Sequence, residues 1–466
     1  MKVPLQWLAD HLAELPPLEE LTERLSLAGD KVEGVERRGL PAEDGVEQLI
    51  VAGHVLEAGK HPNADRLQFC QVDVGEASPR PIVCGAWNFA AGDTVAVALP
   101  GTVLLDGRRI ASSKLRGETS DGMILSEREL DISPDGDGII VLGDGWRPGE
   151  PLAARMALAH DVLELEVTSN RADLLSMRGV ARDVHAIFGI DLTPLDDSEP
   201  AALGDRLTGD WIKIAIEDED LCPRFTARVF QDVAIGPSPL WLKARLNAAG
   251  MRPISNVVDI TNYVMHDLGS PLHAYDHAHI RGARLTARRA RAGEKLRTLD
   301  GQERELDPSM LVIADAEGPQ GVAGIMGGAD SEVSESTTTI VLEAVDARDL
   351  LDHIDLARDV EEARRRHPHV DRALSGTRIE AEAVEDLDRP SQRDVERGDV
   401  RDAVHAHAQM QPRRQVGADV DRARRHVRAA QLHEQTRGGT RGERGLVGVD
   451  ALLPAIGGLG AQADLL

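Results

Sequence analysis

The sequence predicts a multidomain α+β protein: a small N-terminal α/β module interrupted by a closed β-barrel, then a second α/β unit, then a tail of different character. Three observations predict this. The chain has 466 residues, and at roughly 150 residues per domain the expectation is about three domains. Its hydrophobic period is helical near the N-terminus, becomes two between about residues 49 and 142, and returns to helical near residue 176. All 12 aromatic residues lie at or before Tyr275 and all seven lysines at or before Lys295, so the composition changes late in the chain.

The first helix is bracketed by Pro16-Pro17 and Gly29, with Leu18, Leu21, Leu25 and Ala28 on one face. In the period-two region Cys70, Val72 and Val74 alternate with Gln71 and Asp73, and Val95, Val97 and Leu99 repeat the pattern. Asp106-Gly107 between two apolar segments signals a two-residue hairpin, and closely spaced short strands with Gly turns suggest a small barrel. Asp135-Gly136-Asp137-Gly138 superficially resembles a calcium loop, but no Glu stands at the twelfth position of any frame, which makes it a turn before Ile139–Leu142. After the polar turn Thr168–Asp173, Ser176 caps a helix with Val180, Val184, Ile187 and Phe188 inward and Gly189 at its end. The proline-containing, acidic stretch 191–209 is a linker. Ile212, Ile214 and Ile216 alternate as a strand. Ser238-Pro239 and Gly250 bracket a helix with Leu242, Leu246 and Ala249 inward. Strands follow at 284–291 and 310–314 with Asp300-Gly301 as a turn between them. The expected boundaries are 1–42 and 151–190 for the two parts of the N-terminal module, 43–150 for the barrel, 210–345 for the second unit and 346–466 for the tail, in which Leu350–His367 reads as one helix-like piece.

Composition excludes several classes of function. No run of 18 apolar residues exists, so no membrane span is expected, and Asp10 and His11 leave no signal-peptide core at the N-terminus. Cys70, Cys84 and Cys222 form no CxxC pair, which argues against disulfides and a Cys-zinc site and suits three small buried thiols in the cytoplasm. The net charge of −26 excludes a generally sticky nucleic-acid binder, though not one with a local basic patch.

Few constellations carry chemistry. Gly321, Gly324, Gly327 and Gly328 fit neither a Walker loop nor a dinucleotide fingerprint, leaving either a close backbone approach to some other group or a tight turn between strands. His266, His273, His277 and His279 match no zinc motif, and scattered surface histidines are the expectation. One basic cluster, Arg108, Arg109, Lys114 and Arg116, lies in and after the barrel hairpin. A second runs from Arg281 to Arg297 with Glu294 opposing it. Both suit a phosphate backbone or a solvated strand face, and a barrel with a basic hairpin fits an OB-type, oligonucleotide-binding fold.

Ordered motifs narrow this. His61-Pro62-Asn63-Ala64-Asp65-Arg66-Leu67, then Ile82–Asn88, then Lys114-Leu115-Arg116-Gly117-Glu118-Thr119-Ser120-Asp121-Gly122-Met123 resemble the OB-type tRNA-binding domain of several synthetases. Ser169–Asp173 with Gly179–Asp183, and Val258-Asp259-Ile260-Thr261-Asn262-Tyr263 with Pro271-Leu272-His273-Ala274-Tyr275-Asp276, resemble the β subunit of bacterial phenylalanine–tRNA ligase. Residues 1–345 follow that family in order. The resemblance implies an α2β2 enzyme whose α subunit holds ATP, phenylalanine and the catalytic centre, with ATP and Mg2+ serving the whole enzyme and none expected on this chain alone. It implies that the β subunit binds tRNA(Phe) and hydrolyses mischarged tyrosyl-tRNA in a B3/B4-type editing domain, here 210–345. By motif match His273 falls at the editing histidine, Gly327 at a pocket glycine and Glu343 at the glutamate that reads the tyrosine hydroxyl. The alternative for Glu343 is a strand-end salt bridge.

After Val345 the resemblance stops. The family's remaining editing wall, its magnesium-carrying B5 domain, its catalytic-like module and its anticodon-binding domain find no counterpart here. The 121 residues from Asp346 instead hold 20 Arg and 23 Asp/Glu with no Lys, Asn, Phe, Tyr, Trp or Cys. The missing Lys, Asn, Phe and Tyr have AT-rich codons, so an out-of-frame reading of a GC-rich gene is expected over a genuine low-complexity appendage, and the tail is expected to be poorly ordered. Three functional outcomes follow: a working ligase subunit, a stand-alone tRNA-binding or trans-editing protein, or an inactive product.

Overall fold

Pro17 and Gly29 bracket the helix Leu18–Ala28 as the sequence requires, Gly29 adopting φ 109° where a left-handed residue ends a helix. Leu21 and Leu25 are fully buried, but the last turn, including Ala28, is exposed, so that position does not belong to the core face. The computed structural model describes residues 1–41, 45–196 and 206–347. The expectations for the tail after residue 347, its helix-like piece 350–367 included, lie outside the described residues.

Three strands form the N-terminal sheet in the order Lys2–Pro4, Ala159–Leu165, Val32–Gly39. The central strand follows, and its neighbours precede, the strands of a second, nearly closed sheet. Ser176 Oγ accepts the Gly179 N–H at 3.0 Å and starts the helix Met177–Phe188, which packs Val180 and Val184 on Trp7, Leu21, Leu25 and Leu163. The same core takes Leu242, Leu246 and Ala249 from the helix Leu240–Ala248. That helix, placed by sequence in the 210–345 unit, buries its apolar face in the N-terminal module; periodicity reports that a face is buried, not against what. The linker region also begins later than expected, because Leu192 bridges Leu12 and the Ala13 N–H donates to Asp191 O at 2.9 Å.

That second sheet runs Val141–Leu142, Thr94–Ala98, Ile50–Lys60, Gln68–Asp73, Arg80–Cys84, with Met123–Ile124 also paired to Thr94–Ala98. The Asp121 N–H donates to Pro81 O and the Val83 N–H to Ser120 Oγ, which draws the far edge back and nearly closes the sheet. Val95 and Val97 pack with Cys70, Val72 and Ile82 on one side of the sheet, whereas Ala96 and Ala98 pack with Ile50 and Leu125 on the other. A Cβ on Gly53 would stand 2.6 Å from both Val72 and Val97 methyls, so only glycine lets these strands pack. Asp106-Gly107 makes the expected tight turn, with Gly107 at φ 78° and the Leu104 N–H donating to Arg108 O, and its short arms continue through the Val103–Arg109 bridge to the Ile110 N–H, which donates to Thr102 O.

Among the described residues the second unit contains two larger sheets and a two-stranded hairpin. Five strands run Lys213–Ile216, Arg284–Arg289, Leu311–Ala314, Pro319–Val322, Met326–Gly327, the first pair parallel. Three run Arg224–Gln231, Thr339–Asp346, His273–Asp276, all antiparallel. Lys213–Ile216 is an edge strand, which is why Ile214 stays 41% exposed despite its alternating pattern. Asp300-Gly301 turns a separate small hairpin, Lys295–Arg297 with Glu303–Glu305, rather than joining the two longer strands directly.

Candidate functional site

The central strand Thr339–Asp346 places Glu343 directly opposite His273. Cross-strand partners project to the same face of a sheet, so both side chains meet on one side, where a cavity of about 510 Å³ opens. Gly327 enters from the five-stranded sheet. Its backbone runs so close to the imidazole that a Cβ there would stand 2.4 Å from His273 Cε1. The loop around it is a tight turn: Gly321 pairs with Gly327, and Gly324 carries φ 73° between them. The two readings of the Gly-rich segment therefore coincide, since the turn between strands is also a wall of the cavity. His273, Gly327 and Glu343, 54 and 16 residues apart along the chain, share this one site.

The charges of the site follow from burial. Glu343 is only 8% exposed, its Oε2 has no hydrogen-bond partner, and burial pushes its carboxyl up to about 8 against the opposing pull of the Tyr275 phenol. It forms no strand-end salt bridge among the described residues. Burial lowers the His273 imidazole to about 4 and lifts the Tyr275 phenol well above 10. At neutral pH the three groups are therefore uncharged together. The His273 and Tyr275 rings meet edge to face at 4.5 Å, which fixes the imidazole between the phenol and Gly327.

Two cavity residues escaped the reading of individual sequence positions. Tyr275, two residues beyond His273 on the same strand face, supports both His273 and Glu343; strand period would have paired it with His273. Asn262, on the helix Asn256–Leu268, lines the cavity with a buried Nδ2 that has no partner. Its neighbours in the quoted motifs are structural. Asp259 accepts from Ser238 Oγ and the Ile254 N–H, and Asp276 from Thr337 Oγ1 and the Ala278 N–H. The other histidines disperse: His266 packs against Trp7, His277 is within hydrogen-bond distance of Trp211 O at 3.1 Å, and His279 lies 3.9 Å from Asp276. His266 is partly buried, not a surface residue as expected.

Beside the nearly closed sheet, Arg108 and Arg109 stand on the Asp106-Gly107 turn, and Lys114 and Arg116 on the hairpin Ser113–Leu115/Glu118–Ser120; all four are exposed. Arg116 sits at φ 52°, uncommon for a residue with a side chain. The His61–Asn63 motif holds it there. His61 Nε2 donates to Leu115 O at 3.1 Å, its Nδ1 accepts the Asn63 N–H at 3.0 Å, and Asn63 Nδ2 donates to Arg116 O at 3.1 Å. Most of the second basic run is paired with acids in space, as the solvated strand-face reading expects. Arg288 pairs with Glu294, Arg289 with Asp218, Lys295 with Glu303 and Arg297 with Asp330.

Comparison with known proteins supplies the context for both places. Residues 50–151 match the family described as "Putative tRNA binding domain", and residues 221–349 the "B3/4 domain". The phenylalanine–tRNA ligase beta subunit of Symbiobacterium thermophilum is 47% identical over 347 residues, 74% of this chain and 38% of that protein. Its counterpart in Nitratidesulfovibrio vulgaris is 44% identical over 346 residues, 74% of this chain and 42% of that protein. An N-terminal fragment of the phenylalanyl-tRNA synthetase beta subunit from Pyrococcus horikoshii aligns over 40% of this chain and 56% of its own at 15% identity, with a TM-score of 0.23. This chain thus spans about two fifths of the length of these curated relatives.

Proposed function

Because about three quarters of this chain belongs to the phenylalanine–tRNA ligase β-subunit family, we propose that it binds tRNA(Phe) through the barrel and hydrolyses tyrosine from mischarged tRNA(Phe) in the Glu343 cavity. Arg108, Arg109, Lys114 and Arg116 are the phosphate contacts, and the His61–Asn63 bracket presets the loop that carries the last two. The barrel is an OB-type fold, and the unit from about 210 to 345 is an editing domain of the B3/B4 type.

The observation that carries the editing reading is the buried, unpartnered Oε2 of Glu343 on the cavity wall. A tyrosyl phenol satisfies it and a phenylalanyl ring leaves it unmet. An unmet buried polar group costs about 1–3 kcal/mol, or roughly 5- to 150-fold in affinity. His273, uncharged at neutral pH, holds the aminoacyl group against the Gly327 backbone. A water then attacks the ester carbonyl carbon, the bond to the terminal ribose oxygen breaks, and the water's proton passes to that oxygen, assisted by the adjacent ribose hydroxyl. The products are free tyrosine and intact tRNA.

Phenylalanine attachment, with its ATP and Mg2+, belongs in this reading to an α subunit in the cytoplasmic α2β2 enzyme. Among the described residues no group of three His, Cys, Asp or Glu could hold a metal, so these residues do not fit a magnesium site. No helix among them is long and apolar enough to cross a membrane. The test is deacylation of tyrosyl-tRNA(Phe) and phenylalanyl-tRNA(Phe) by the full chain. Selective release of tyrosine, abolished in Glu343→Leu, is expected; equal release of both, or release unaffected by that substitution, overturns the reading.

A further inference from the structure

A second cavity, of about 470 Å³, lies apart from both places described above, between the N-terminal module and the helices Leu240–Ala248 and Asn256–Leu268. His160, on the central strand of the N-terminal sheet, is 5% exposed, and neither of its ring nitrogens has a partner. Gln6, on the helix Leu5–Leu8, presents a buried Oε1 that is also unpartnered. A histidine needed only to fill space would be a costly choice, since each unmet buried polar atom opposes folding. Burial and the nearby Arg245, Arg37 and Arg38 keep this imidazole neutral, with Asp131 the opposing charge. It therefore offers one donor and one acceptor.

The charged residues lining the cavity are both cations. Arg245 is held by Asp10 Oδ2 at 2.6 Å and the Tyr263 hydroxyl at 3.0 Å, and Arg155 by Glu150 at 2.8 Å with its guanidinium 4.0 Å over the Trp146 ring. Trp241, braced edge to face against Tyr263 at 5.7 Å and with the Arg245 guanidinium 5.7 Å over its ring centroid, supplies an aromatic wall.

We propose that this cavity is a binding site for a mononucleotide unit, with the base edge hydrogen-bonded by His160 and Gln6, the ring against Trp241, and the phosphate held by Arg155 and Arg245. The three parts of such a ligand answer three separate features: an unmet donor–acceptor set, an aromatic wall and two guanidiniums at the rim, each held in place by one acid outside the lining, Glu150 and Asp10. The volume lies in the range of small-molecule sites. A zwitterionic ligand fits less well, because its ammonium would face two arginines. The unit is either a free nucleoside monophosphate or an unpaired nucleotide of a bound RNA, which present the same chemistry.

Calorimetric titration of the full chain with adenosine 5′-monophosphate, adenosine, ribose 5-phosphate and inorganic phosphate tests this. The monophosphate should bind at least about tenfold more tightly than adenosine or ribose 5-phosphate, a factor equivalent to about 1.4 kcal/mol of binding free energy. Ala157→Trp, which plugs the partly exposed rim, and His160→Leu should each weaken it by at least that factor, with a melting curve confirming that the plugged variant is folded. Replacing Arg108, Arg109, Lys114 and Arg116 should leave it unchanged, which separates this site from tRNA binding by the barrel. A single-stranded RNA trinucleotide that displaces the monophosphate at lower concentration assigns the site to RNA, and a weaker one assigns it to the free nucleotide. Inorganic phosphate binding as well as the monophosphate, equal affinity in folded Ala157→Trp, or no binding at millimolar concentration overturns the proposal.

Discussion

Glu343→Gln exchanges a carboxyl for an amide of the same shape and removes one ionisable group from the cavity. In the folded chain burial holds the Glu343 carboxyl up at about 8, against an ordinary value of 4.5. The unfolded chain gives up its proton near the ordinary value while the folded one retains it. A raised folded value means stability that is fully present below pH 4.5 and is lost as pH rises through 8. Each unit of separation corresponds to about 1.4 kcal/mol, so the whole window is on the order of 5 kcal/mol. The amide of the variant titrates nowhere in it. Subtracting the urea-unfolding stabilities of the two proteins at each pH cancels all other groups, His273 included. The variant and the parent should be nearly equal at pH 4.5 to 5, and the variant should gain steadily to become several kcal/mol more stable by pH 8. Parallel curves would refute the reasoning, because they would mean that Glu343 is ionised in the folded protein at its ordinary value.

Gly327→Ala should destabilise the protein by about 1–3 kcal/mol, the usual cost of overpacking, because its Cβ would stand 2.4 Å from His273 Cε1 and Tyr275 blocks the ring's retreat; thermal melts check this. Replacing Arg108, Arg109, Lys114 and Arg116 together by Ala should flatten the log–log salt dependence of tRNA retention by roughly 0.7–0.9 for each phosphate that is no longer neutralised. His61→Ala removes no charge from that set, yet it should weaken tRNA retention and speed amide exchange across 113–120, because Leu115 O and the Asn63 N–H lose their shared partner.

Local punctuation was legible in the sequence wherever one residue type has one physical use. Pro17, Gly29, Ser176 and Gly189 bracket their helices as expected, since caps and left-handed termini are decided within a few residues. What failed was assignment of partners across space. The helix Leu240–Ala248 shows its apolar face in sequence but not that Trp7 and Leu163 lie beneath it. The Arg281–Arg297 run stays open in sequence between a phosphate track and a solvated strand face, because Asp218 and Asp330, which pair with two of its members, lie outside it. The pocket was reached through motif resemblance alone. Nothing in the spacing of His273 and Glu343 reveals that they face each other across a strand pair; strand period pairs Tyr275 with His273 but not with Glu343, and Asn262 joins them only through the cavity.

The central claim is that the Glu343 cavity selects a phenol. Equilibrium binding of two non-hydrolysable amide analogues, 3′-tyrosylamino- and 3′-phenylalanylamino-3′-deoxyadenosine, to the full chain tests it most directly. The unpartnered Oε2 of Glu343 predicts that the tyrosyl analogue binds at least about fivefold more tightly, and that the preference disappears in Glu343→Leu while the phenylalanyl analogue is bound no worse. Equal affinity of the two analogues for the unaltered chain would contradict the account.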